Sequence, residues 1–123
     1  MSFTVINETE NPSPVSGTVK KGNTVISVQI PTDASGALVA GGMTEQAKQC
    51  FANLEQDMIA AGGSLADVMF VTIYITDKAD WQAMHDVWCA TFKAPFPGRA
   101  TIGCKELMLD GMLIEIIANA DIG

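Results

Sequence analysis

Two charged residues stand where the chain otherwise reads as apolar strand. Arg99 is the only arginine; it follows a rigid Phe96-Pro97-Gly98 lead-in and opens an apolar run. Glu115 lies inside a second apolar run, between Ile114 and Ile116. A carboxylate between isoleucines in a strand faces a desolvation cost of several kcal/mol unless it meets a partner or water. A guanidinium is a fixed fork for anions, and a partly buried carboxylate is a group that handles protons. The pair predicts a small polar pocket on rigid sheet, lined by Arg99 and Glu115. The alternative for Glu115 is an ion pair that holds subunits together.

Little else in the composition competes with that pair. The single histidine, His85, has no Cys/His cluster around it, so no metal site is expected. Cys50, Cys89 and Cys104 are odd in number and form no C-x-x-C pair, which suits a reducing compartment and thiols used as small hydrophobes. All three are expected to pack. The net charge of −7, with lysines scattered along the chain, disfavours nucleic acid and anionic membrane as partners. No apolar run approaches a membrane span, and the N-terminus lacks a cationic start followed by an apolar stretch. A cytoplasmic protein is expected. At 123 residues and 48% hydrophobic content, the chain reads as one domain, 1–123.

The elements that must position Arg99 and Glu115 follow from periodicity. Residues 3–6 form a possible short strand, followed by a Pro/Asn loop at 11–14. Runs 19–21 and 24–30 read as a hairpin turning at Gly22-Asn23, stopped by Pro31. Positions 31–42 read as loop. Ala47, Cys50, Phe51, Leu54, Met58 and Ala61 follow a helical stripe, predicting a helix over 44–61 with Thr44 as cap and Gly62-Gly63 as its end. A strand over 67–76 places Met69, Val71, Ile73 and Ile75 on one face and Val68, Phe70, Thr72, Tyr74 and Thr76 on the other. Neither face is polar enough for open water, so one side should carry helices and the other a second subunit. A second helix over 77–92 puts Trp81, Met84, Trp88 and Phe92 on a core stripe, with Asp77 as cap. Asp110-Gly111, between the two last apolar runs, predicts a closing hairpin. The order β-β-β-α-β-α-β-β is an α+β layout, one sheet with two helices on one face.

The motifs in that order resemble the RidA/YjgF family of reactive-intermediate deaminases, over nearly the whole of 24–120. Ser27-Val28-Gln29-Ile30-Pro31 is similar to the family's Ser-Gly-Gln-Ile-Pro. Phe96-Pro97-Gly98-Arg99 is similar to its Phe-Pro-Ala-Arg, and Leu113-Ile114-Glu115-Ile116 matches its C-terminal strand. The resemblance implies a chorismate-mutase-like fold, one mixed β-sheet with two helices on one face, assembled as a homotrimer with clefts between subunits. It implies cofactor-free hydrolysis of small enamines and imines, 2-aminoacrylate-like, to 2-oxo acids and ammonia. Arg99 would bind the substrate carboxylate and Glu115 would manage water, with Ser27, Val28, Thr101 and His85 lining the cleft.

Four positions differ from the family pattern. Val28 stands where glycine is common and would narrow the cleft. No tyrosine lies in 11–21, where many members contribute one. Thr101 replaces a frequent cysteine. The stretch from Arg99 to Glu115 is one residue longer than usual, which would turn Glu115 to the wrong face unless the Asp110-Gly111 turn absorbs it. His85 occupies a position often held by asparagine, and reads either as a group on the cleft rim or as a satisfied structural histidine. These differences leave two other readings open: a non-catalytic metabolite-binding or chaperone-like trimer, and the ribonuclease or translation-inhibitor activity attributed to some members. A homotrimer would triple the −7 charge, which opposes the last of these.

Overall fold

The computed structural model describes residues 2–9 and 13–123. The expected loop at 11–14 therefore begins outside the described residues. Strands β1 (Thr4–Val5), β2 (Thr18–Lys21) and β3 (Thr24–Gln29) precede helix α1 (Met43–Ala60). Strand β4 (Val68–Ile75), helix α2 (Trp81–Thr91) and strands β5 (Gly98–Gly103) and β6 (Ile114–Asp121) follow. The expected element order is the observed one. The β2–β3 hairpin turns at Gly22-Asn23, with Gly22 at φ +60, a left-handed conformation that glycine adopts at no steric cost.

The six strands form one mixed sheet in the order β1-β2-β3-β6-β4-β5. Only β4 and β5 run parallel; every other pair is antiparallel. This corrects the closing hairpin, because β5 and β6 do not pair with each other. Helix α2 carries the chain from β4 back to its own starting edge, which makes β5 a parallel neighbour of β4. The segment 104–113 then takes β6 past β4 and inserts it antiparallel between β3 and β4. Asp110-Gly111 does form a turn, with Met112 N–H donating to Leu109 O and Gly111 at φ +85, but the turn lies within that connection. Gln46 of α1 holds it there. Its Nε2 donates to Gly111 O at 2.9 Å, and its Oε1 accepts from Leu113 N–H at 2.8 Å.

Both helices pack on one face of the sheet. Val71, Ile73, Ile114, Ile116 and Ala118 meet Ala47, Cys50, Leu54, Met58, Met84 and Trp88 in a continuous core. Burying side chains of the size of Leu54 or Ile73 contributes about 1.5–3 kcal/mol each. Phe51 packs edge-on against Trp88 and Phe92, joining the two helices. Helix α1 ends as expected at Gly62, at φ +97, and Gly63 N–H returns to Met58 O. Its start is corrected: Gly42 is the cap, and Thr44 lies one residue inside the helix. Asp77 caps a short 3-10 turn (Lys78–Asp80) that precedes α2, accepting from Ala79 N–H. Among the described residues, no helix is long and apolar enough to cross a membrane.

Two facing assignments also change. The ladder slips between Val68 and Phe70, so Val68 turns into the core and Met69, 65% exposed, turns out. Cys89 is exposed, because the buried ridge of α2 is Met84, Val87 and Trp88, and Cys89 lies a further 100° round the helix. Cys50 is buried as expected and Cys104 is half-buried.

Asp57 of α1 ties the hairpin to the helix layer. One carboxylate oxygen accepts from Thr18 Oγ1 at 2.7 Å and Gln29 Nε2 at 2.9 Å; the other accepts from Asn7 Nδ2 at 2.6 Å. Ser27 Oγ completes the cluster, 2.7 Å from Thr18 Oγ1 and 2.8 Å from Gln29 Nε2. Removing the carboxylate strands buried donors, so Asp57→Ala should lower the unfolding free energy by about 3 kcal/mol. Urea unfolding measures it, and a loss under about 1 kcal/mol would mean the cluster adds nothing beyond its average bonds.

Candidate functional site

Arg99 reaches its place through β5, the edge strand. It is registered with Val71, whose side chain is fully buried on the helix side, so Arg99 also points toward the helices. There α2 presents a ridge of ring systems at helical spacing. The guanidinium carbon lies 4.8 Å from the centroid of Trp88 and 5.8 Å from that of Trp81. A cation over an indole face at such distances is attracted by the ring quadrupole. Trp81 in turn stacks on His85, with centroids 4.5 Å apart and planes at 13°. Burial holds the Arg99 guanidinium below its usual pKa, and the nearby Cys89 partly offsets this. Arg99 Nη1 and His85 Nδ1 are both buried without a hydrogen-bond partner. A buried donor on a cation is costly to leave unpaired, and a charged donor of this kind forms its strongest bonds with carboxylates and other anions.

Glu115 belongs to the other face. On β6 it is registered with Tyr74, while its neighbours Ile114 and Ile116 fill the core. Val28, registered with Ile117, stands on the same open face as Glu115 and is 36% exposed. Burial pushes the Glu115 carboxyl above the usual carboxylate range. The ladders to β3 and β4 set this facing, and the length of the 104–113 connection does not enter into it.

The expected site residues therefore divide into two groups. Arg99, Thr101 and His85 gather where α2 meets β5, Thr101 being registered with the buried Ile73. Glu115 and Val28 share the opposite face. A single chain does not bring Arg99 and Glu115 into one pocket, because a sheet separates them. Ser27 joins neither group. It is 1% exposed and spends its hydroxyl on the Asp57 cluster, which corrects its assignment to the cleft lining.

Trp81 and Trp88 were expected only as core. Trp88 is buried, but Trp81 is 38% exposed at the open start of α2, and both serve as the bed of Arg99. The signal lay in the 81-85-88 spacing, which sets two indoles and the only imidazole on one ridge.

Fold and site together define a small α+β protein with a ring-bedded arginine on a parallel edge strand. The family model described as endoribonuclease L-PSP matches residues 7–122, and the chain belongs to that family, the RidA/YjgF proteins. A 2-iminobutanoate/2-iminopropanoate deaminase of Dermatophagoides farinae is 38% identical over 96 residues, covering 76% of this chain and 75% of that one. The crystal structure of RidA from a Psychrobacter species superposes with a TM-score of 0.87 at 32% identity, over 97% of this chain and 99% of that one. E. coli TdcF, solved with bound serine, gives a TM-score of 0.87 at 26% identity, over 98% and 99% of the two chains.

The facing of Glu115 has a consequence for stability. Its folded pKa lies above its unfolded one, so the folded state binds this proton first as pH falls. Stability gained from this group thus rises as pH drops from neutrality through the raised value and levels off below the ordinary value of 4.5. Glu115→Gln removes that gain, so any stability advantage of the variant should be largest near about pH 7.5 and shrink toward about pH 5. Paired urea titrations at the two pH values test this. A difference independent of pH would contradict the desolvation of Glu115.

Proposed function

We propose that this protein hydrolyses small enamines and imines that carry a carboxylate, of the 2-aminoacrylate type, to 2-oxo acids and ammonia. The observation that carries the reading is the Arg99 guanidinium, fixed on Trp88 with a buried nitrogen that has no partner. A substrate carboxylate supplies that partner in a charge-assisted bond. The deaminase relative and the relative with bound serine, a small carboxylate-bearing molecule, support the same ligand class.

The chemistry asks for orientation and one proton-handling group. A protonated imine is already electrophilic at carbon. Water adds to that carbon while Glu115 takes the proton that water sheds. The resulting carbinolamine collapses to the ketone, and the returning proton leaves with ammonia. A carboxyl held above its usual range by burial is suited to both transfers.

Because the sheet separates Arg99 from Glu115, the working site is assembled from two copies. Glu115 and Val28 come from the open sheet face of one copy; Arg99, Thr101 and His85 come from the edge of its neighbour. That open face exposes Ile26, Val28, Phe70 and Ile102, an apolar surface suited to burial against another copy. A closed, chorismate-mutase-like homotrimer repeats this seam three times.

The test follows 2-aminoacrylate freshly released by a pyridoxal-phosphate dehydratase, with ammonia as the readout. Arg99→Lys keeps the charge but not the fork, so kcat/KM should fall by about 10- to 100-fold in a protein that stays assembled. Unchanged turnover in that variant would refute the anchoring role, and substrate binding without any turnover would favour a metabolite-binding trimer. Arg99→Lys and Glu115→Gln copies, each impaired alone, should regain about a quarter of wild-type activity when co-refolded in equal amounts, since each seam then draws both intact residues by chance. No recovery on mixing would mean that one chain holds the whole site.

A further inference from the structure

The ridge that beds Arg99 carries one group the hydrolysis does not use. Cys89 is exposed on α2, and its Sγ lies 3.5 Å from His85 Nε2. The imidazole is held in place by its stack on Trp81. Cys89 lies close enough to Arg99 to act on the charge of the guanidinium. The same arginine keeps Nη1 buried and without a partner, which points to an anionic ligand at this ridge. A thiol, an imidazole within hydrogen-bond reach and a cation with a vacant donor are the parts of an activated nucleophile that selects anions.

We propose that Cys89 is a reactive thiol for small electrophilic carboxylates, with His85 as its proton acceptor and Arg99 as the group that draws the carboxylate in. With an α-halo carboxylate, sulfur displaces halide: the C–S bond forms, the halide leaves with the bonding pair, and the S–H proton passes to Nε2 and then to water. With an α,β-unsaturated carboxylate, sulfur bonds to the β carbon and the proton ends on the α carbon. Neither step needs an oxidant or reductant. The other two thiols lack this setting, since Cys50 is buried and Cys104 faces the Ile75 carbonyl.

The experiment compares iodoacetate with the neutral iodoacetamide on the native, assembled protein and locates adducts by mass. A chain of net charge −7 repels anions, so an unassisted surface thiol here reacts faster with the neutral reagent. Cys89 should invert that order by about fivefold, and rising salt should erode the inversion. Arg99→Gln should abolish the inversion, slowing iodoacetate several-fold more than iodoacetamide. His85→Gln should slow both reagents by about tenfold or more and leave their ratio unchanged. Faster labelling of Cys104, or a preference for iodoacetamide at Cys89, would overturn the proposal. So would an inversion that survives in Arg99→Gln. The readout is mass and not turnover, so the outcome stands apart from the deaminase reading. If both hold, the adduct leaves its own carboxylate on Arg99, and labelling also abolishes ammonia release.

Discussion

A strand assigns alternate side chains to opposite faces of its sheet, and this alternation governs the functional side of the molecule. Arg99 is registered with a buried valine and Glu115 with an outward tyrosine. Neither can change sides without moving its whole strand by a residue, which would bring Glu115 into the core and turn Ile114 and Ile116 out to solvent. Any chemistry that needs this arginine and this glutamate together would therefore require the contact between two copies proposed above. The apolar open face and the separation of Arg99 from Glu115 follow from the same alternation.

Within one chain, the arginine is the more tightly specified partner. A guanidinium is weakly hydrated and planar, so it can lie on an indole where an ammonium would keep its water. The bed formed by Trp88 and Trp81 fixes the cation without neutralising it, as a carboxylate partner would. It remains electrically available although it is half-buried. That distinction separates Arg99 from an arginine committed to an internal ion pair, and it leaves a local positive charge in a protein of net charge −7.

Most of the architecture was legible because the signals were local. The α1 stripe, the Gly22-Asn23 turn and the β-branched run of β4 each declare themselves within a few residues, and the order of elements followed. Strand pairing was not local. Asp110-Gly111 carries a hairpin signature, yet β6 takes the berth between β3 and β4, antiparallel to both, and leaves β5 as the edge strand. The slip at Val68 and the open position of Cys89 were likewise decided by packing between distant elements. Arg99 and Glu115 could be singled out as misfits in apolar runs. Ser27 could not be placed, because its motif gives no hint of the Asp57 carboxylate that claims its hydroxyl from α1. The aromatic bed was hidden for a similar reason, since tryptophan in an amphipathic helix reads as core wherever it faces.

That bed has an optical consequence. The chain contains two tryptophans, and both contact the Arg99 guanidinium. Indole emission responds to charges and solvent close to the ring, and here no third tryptophan adds a background from elsewhere in the fold. The indole emission of this protein is in effect a local probe of one side chain, so an occupant reaching Arg99 would announce itself in unlabelled protein.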